Sequence, residues 1–163
     1  MTASLSITES QLFSNVRLAI LPLFNAEIVR GLDNQVSPPI GDYIVITPIM
    51  NVRQGTNETT YTQDLRNDSV LYTYTIQIDA YGVQSGNIIN TLNLLFRGDY
   101  FNDKGFTPLT CSNPRQFYFE GNEHQMIERW QMDIEVSYNP IVSITQQFAN
   151  TLNVNLLNPA DIH

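Results

Sequence analysis

One cysteine, Cys111, and one lysine, Lys104, are all that a chain of 163 residues has of either type. A single thiol excludes an internal disulfide framework, and no histidine or cysteine sits at ligand spacing from it. The near-absence of lysine, with seven arginines spread along the chain and a net charge of −8, argues against wrapping nucleic acid or adhering to anionic lipid. Both depend on Lys and Arg neutralising phosphates. No apolar run approaches the ~20 residues of a spanning helix. The opening "MTASLSITESQLF" lacks a basic segment followed by an apolar one, so no secretory signal is read and a soluble cytoplasmic product is expected. Charged residues make up only 15% of the chain. The polar surface is therefore built mainly from Asn, Gln, Thr and Ser, which are buried against another chain at lower desolvation cost than ions.

Catalytic signatures are missing too. There is no GxSxG elbow and no glycine-rich phosphate loop. Cys111 lies in a short apolar stretch, the setting of an inert buried thiol. His124 falls in an expected hairpin tip and His163 is the last residue, and neither has a second ligand at metal spacing. Asp133 and Glu135 share a strand face with Arg129, the pattern of an exposed ionic ladder rather than of an acid/base pair. No enzyme, metal or cofactor is expected.

At this length one domain, 1–163, buries roughly 68–70% of its unfolded surface without staples. Thr8-Glu9-Ser10-Gln11 has the form of a capping box, and the apolar spacing behind it predicts a helix over about 9–21, with Pro22 near its end. A short strand is expected at "AEIVRG", a loop at "LDNQVSPPIG", and a central strand at "DYIVITPIM" with Pro48 at its edge or end. The segment 53–69, "RQGTNETTYTQDLRNDS", is polar and without periodicity and reads as a long loop. "VLYTYTIQIDAYG" alternates cleanly, with Val70, Tyr72, Tyr74, Ile76, Ile78 and Ala80 on one face and Gln77 and Asp79 on the other. Ser85 is placed to cap a second helix whose stripe is Ile88, Ile89, Leu92, Leu95 and Phe96, ending near Gly98. "TPLTC" is a short strand. "RQFYFE" and Met126–Tyr138 are two arms of a hairpin around Gly121-Asn122. Beyond residue 140 an extended C-terminal segment is expected, with one helical turn near 146–150 and a last short strand. The sum is an α+β fold, a mostly antiparallel sheet with two helices packed on one face.

The strand Met126–Tyr138 has two sides. Trp130, Met132, Ile134, Val136 and Tyr138 point one way, and Arg129, Gln131, Asp133, Glu135 and Ser137 the other. A polar outer face of this length is either solvated or made for another chain, and the residues alone leave both open.

A series of segments narrows the choice. "GLDNQVSPP" followed by "YIVITPI", then "RQGTNETTYT", "TIQIDAYG", "TLNLLFRGDY", "PLTCSNPRQFYFEGNEHQMIERWQMDIEVSYNP" and "QQFANTLNV" come in an order that resembles the tail (neck) terminator family of long-tailed bacteriophages and related prophages. They cover about 12–156, and "NPRQFYFEGNEHQMIERW" is the most specific. The resemblance implies a hexameric ring on the head-proximal end of the tail. Such a ring stops polymerisation of tube, and of sheath in contractile tails, and gives the neck or connector protein a docking surface. It implies no catalysis, cofactor or metal, no membrane, and DNA passing through the lumen without specific binding. A neighbouring neck or connector ring is the alternative within the same class, and a small acidic enzyme the alternative outside it.

A closed ring needs a contact between two different patches of each copy. The residues expected to form it, or to meet the tube, are Arg53, Asn57, Tyr61, Asp64 and Arg66 in the polar segment. Arg115, Gln116, Arg129, Gln131, Asp133 and Glu135 join them in the hairpin. Charge reversal at Arg129 is expected to lower ring formation while leaving the monomer folded.

Overall fold

A computed structural model describes residues 3–31, 37–62, 64–120 and 126–145. Within them run β1 (Ala3–Leu5), α1 (Glu9–Ile20), β2 (Glu27–Arg30), β3 (Tyr43–Tyr61), β4 (Leu65–Tyr81), α2 (Ser85–Arg97), β5 (Thr107–Cys111), β6 (Arg115–Glu120), β7 (Met126–Tyr138) and β8 (Ile141–Thr145). The eight strands form one sheet, and among the described residues only β2 and β3 run parallel. The α+β expectation holds.

α1 begins as its sequence dictates. The Thr8 hydroxyl accepts from the Gln11 N–H at 3.3 Å, and the Gln11 side chain accepts from the Thr8 N–H at 2.7 Å, closing the capping box. Pro22 then turns the chain through a 3₁₀ turn, Leu21–Leu23. α2 starts differently from the expectation. Gln84, not Ser85, occupies its cap position, and the Gln84 N–H donates to Asp42 Oδ1 at 3.0 Å. A carboxylate from the β2–β3 connection thus supplies an acceptor at the helix start, and the Ser85 hydroxyl is left buried with no partner among the described residues.

Both helices cover one face of the sheet. Their buried residues Leu12, Val16, Ile20, Ile88, Ile89 and Leu92 join one cluster with Ile44 and Ile46 of β3, Ile76, Ile78 and Ala80 of β4, and Met132, Ile134 and Val136 of β7. Register explains the match: Ile46 faces Ile78, which faces Met132, and Ile76 faces Ile134. Period-two alternation on three neighbouring strands therefore makes a continuous apolar floor. α2 lies so close to it that a Cβ on Gly86 would meet Trp130 Nε1 at 3.0 Å.

Of the two readings of Pro48, edge holds and end fails: β3 continues to Tyr61, with a register shift between Pro48 and Met50. The shift lies beyond the reach of β2, where β3 is an edge and a missing N–H costs least. The segment 53–69 is not a loop. It is the outer half of the β3–β4 hairpin, an arm with Tyr61 opposite Arg66, Thr60 opposite Asn67 and Thr59 opposite Asp68. The arm hid in the sequence because β3 is exposed throughout this stretch and so carries no apolar alternation. A second register shift, between Gln54 and Glu58 around Gly55 at φ +103°, also resets whatever period remained.

β1 and β8 were not foreseen. β8 pairs with the outer half of β4, Leu65–Ser69, just where β7 leaves off at Tyr72. β7 and β8 thus take successive stretches of one edge of β4, separated by Asn139-Pro140. β1 adds outside β8, Leu5 facing Val142. The expected tip at Gly121-Asn122, His124, His163, the helical turn near 146–150 and the last strand lie outside the described residues.

Several tyrosines stiffen this frame and make it sensitive to alkali. Burial, with the Glu9 carboxylate adding to it, pushes the Tyr74 hydroxyl up to about 12. Burial also raises Tyr43, Tyr81 and Tyr138. A folded-state value above the unfolded ~10 means stability that is whole below pH 10 and lost as pH climbs toward 12. Circular dichroism followed with phenolate absorbance should show unfolding and tyrosine ionisation rising together in that window. Ionisation of these four tyrosines at pH 10 with the fold intact would contradict it.

Candidate assembly surface

The face of the sheet opposite the helices carries the polar set. Across its lower end runs a row of four side chains from four strands: Tyr43, Tyr81, Arg129 and Phe117. The two tyrosine rings stack at 4.7 Å and 9°. The Arg129 guanidinium lies 5.5 Å from the Tyr81 ring centre and 5.7 Å from that of Phe117, a placement that each ring's negative face favours. The same guanidinium donates twice to Asp79 Oδ1, from Nε at 2.9 Å and Nη2 at 2.8 Å. Gln77 Nε2 donates to Asp79 Oδ2 at 2.6 Å. Asp79 is only 2% exposed, on a face that no other layer of the described residues covers, because its neighbours close over it.

A second ion pair lies beside the first. Arg115 Nη2 meets Asp133 Oδ2 at 3.0 Å, and Gln131 sits between Arg115 and Asp79 in the strand register. Glu135 follows, facing Thr75 on one side and Thr110 on the other. Five of the expected residues, Arg115, Arg129, Gln131, Asp133 and Glu135, therefore share this face. Gln116 does not. It lies opposite Trp130 and donates to Glu128 Oε1 at 2.9 Å, and Trp130 Nε1 donates to the same oxygen at 2.8 Å. Asp79, Gln77, Tyr43, Tyr81 and Phe117 complete the face without having been singled out. Alternation in "TIQIDAYG" already assigns Gln77 and Asp79 to it, but not their engagement with Arg129.

The other five expected residues belong to the arm. Arg53 Nη2 donates to Asn57 Oδ1 at 2.8 Å across the Gly55 bulge. Tyr61 ends β3 opposite Arg66, and Asp64 stands in the turn between the strands. Arg66 pairs with Asp68 at 3.1 Å. The Thr59 hydroxyl, which donates to Asp68 at 2.6 Å, and then Arg66 hold that carboxyl below its ordinary range. Arm and polar face are thus two separate surfaces.

Around the arm the sheet becomes a wing of four strands, in the order β1, β8, β4, β3. No helix covers it. Exposed apolar side chains lie on both its sides, Leu65 and Ile141 on one and Leu5 and Tyr61 on the other, and Met50, Val52 and Leu71 continue the first side toward β7.

Concave chemistry is sparse. A hollow of about 400 Å³ lies between the α1–β2 connection and the start of α2, lined by Phe24, Asn25, Asp42, Gln84 and Asn87 among others. Its one carboxylate, Asp42, is already engaged by the Gln84 N–H. Among the described residues no group of three His, Cys, Asp or Glu side chains is placed to hold a metal ion. No helix among them is long and apolar enough to cross a membrane. Cys111 is half-buried and receives an N–H from Asn93 Nδ2 at 3.3 Å.

The surfaces that stand out are therefore broad, polar and suited to protein. A search of curated proteins finds no match. The sequence profile of the phage neck terminator protein family matches residues 10–160, nearly the whole chain, so the chain belongs to that family and is a structural protein of the phage neck.

Proposed function

We propose that the protein is one wedge of a ring, of six copies by the family resemblance, that closes the head-proximal end of the tail. The ring stops polymerisation of the tube, and of the sheath where there is one, and presents a surface to the neck or connector. The whole chain, 1–163, acts as one unit.

The four-stranded wing carries this reading. One part of the sheet is covered by two helices in the ordinary two-layer way. Among the described residues the wing is covered on neither side, yet it exposes Leu5, Tyr61, Leu65 and Ile141. A monomer that buried its own apolar surface would have no use for such an extension, whereas a neighbour or a tube subunit gives it a second layer. The polar face, with the uncharged Gln131 and the Arg115–Asp133 pair, is suited to the other partner, where uncharged and paired groups desolvate at low cost.

Charge supports passage of DNA rather than its capture. Six copies at −8 each carry about −48, and carboxylates on the inner wall repel the duplex. An inner wall dominated by arginine would contradict this.

The test is tube length. Tube protein polymerising alone should give long tubes of uncontrolled length by electron microscopy, and addition of this protein should stop growth and leave a ring at one end. Tubes that elongate equally in its presence would remove the terminator reading.

A further inference from the structure

We infer that neighbouring copies join edge to edge, the outer edge of β3 at Glu58–Tyr61 pairing antiparallel with β1 of the next copy, so that the wing's sheet runs on from copy to copy. This rests on the ring reading and specifies how the ring closes.

Among the described residues both lateral edges of the wing are open. Among the described residues β3 has no outer partner beyond the stretch Tyr43–Ile46 paired with β2, and β1 has none outside β8. An open edge is a row of backbone N–H and C=O groups at strand spacing, which another strand satisfies completely. Folds that stay monomeric blunt such edges with lysine, proline or charge. Here no lysine or proline occurs from Ile49 to Tyr61 or from Ala3 to Leu5. The devices present are the charges of Arg53 and Glu58 and the bulge between Gln54 and Glu58, and they leave Thr59, Thr60 and Tyr61 straight and uncharged, a stretch the length of β1.

The two edges also match in height and direction. Following the register across the wing, Thr59 faces Asp68, Asp68 faces Val142, and Val142 faces Leu5. The next row runs from Thr60 through Asn67 and Ser143 to Ser4. The ends of each row are thus a β3 residue on one edge and a β1 residue on the other, at one level of the sheet. Each of the three pairings in the row is antiparallel, so β3 and β1 point in opposite directions. A copy set beside this one continues the alternation without turning over. The contact joins two different edges, as a ring requires, and sheet twist and tilt provide the curvature for closure.

Among the described residues β6 offers another open edge, at Arg115–Glu120. It lies at the opposite end of the sheet, level with Tyr81, where Phe117 and Arg129 share a row with that residue. The arm tip is level with Arg66. At ~3.3 Å per residue the separation along β4 is roughly 50 Å, too far for one straight contact.

Cysteine cross-linking tests the pairing. In a Cys111→Ser background, Ser4→Cys with Thr60→Cys is treated with a short bis-maleimide under conditions where light scattering gives a ring's mass. A ladder of covalent oligomers up to that mass is expected, with none from either single variant. Ring mass without a ladder overturns the edge pairing and leaves the ring reading standing. A ladder from Thr60→Cys with Tyr118→Cys instead places the arm on β6 and also overturns it. Monomer mass for the parent protein at every concentration, with or without tube, overturns the ring and the pairing together.

Discussion

Replacing Arg129 by methionine is expected to cost the fold about 3–5 kcal/mol, the range for removing one partner of a buried ion pair. The asymmetry of the pair sets the size. Asp79 is 2% exposed and, among the described residues, would keep only the Gln77 amide at 2.6 Å once the guanidinium is gone. The Arg129 side chain is 27% exposed, so after the converse change, Asp79→Asn, it turns toward water, and the loss should be nearer ~1–2 kcal/mol. Arg129→Lys keeps a charge but loses the two-pronged donation and the seat between the Tyr81 and Phe117 rings, and should fall between. Combining Arg129→Met with Asp79→Leu should recover most of the stability, because an apolar pair replaces an ionic one without leaving a buried charge alone. Urea unfolding of the four proteins checks this. A cost under about 1 kcal/mol for Arg129→Met would mean that the pair is no more than a surface contact.

The expectation that charge reversal at Arg129 spares the monomer is corrected by the same geometry. A glutamate there would set a second carboxylate beside buried Asp79. Arg115, whose side chain is 55% exposed, is the better probe of the polar face, since losing an exposed pair costs the monomer under about 1 kcal/mol. An effect of Arg115→Glu on ring mass would then report on contact between copies and not on folding.

Much of this architecture was legible wherever burial imposes a period. β4 and β7 alternate because one face is core and the other is not, and α1 and α2 show their stripes for the same reason. The arm was not legible, since two-sided exposure removes the alternation that marks a strand, and Gly55 breaks the phase. β1 and β8 are short edge pieces whose pairing depends on β4 being longer than β7 can cover, a fact about the sheet and not about either segment. The five polar residues of the helix-free face could be grouped from the sequence. Their pairing with Asp79 could not, because it joins β4 to β7 across a long stretch of chain.

Phe101 makes the same point for stability, and its removal is the other large effect expected. "DYFNDKGF" reads as a turn, and it is one, yet it carries a plug for the core. Phe101 is fully buried and stacks on Phe96 of α2, ring centres 3.9 Å apart and 8° from parallel, with Tyr100 edge-on at 5.0 Å and Phe106 at 6.3 Å. Asp103 at φ 60° and Gly105 at φ 83° fold the segment tightly enough to present all three rings. Turn chemistry and core chemistry occupy the same few residues, so composition discloses only the first. Phe101→Ala should cost about 3–5 kcal/mol through lost burial and the cavity left between α2 and the turn, while Phe101→Leu should recover more than half. Against a total of roughly 8–15 kcal/mol for a domain of this size, the alanine variant should unfold at a markedly lower urea midpoint with an unchanged slope. An equal midpoint would mean that the turn packs against the helix without supporting it.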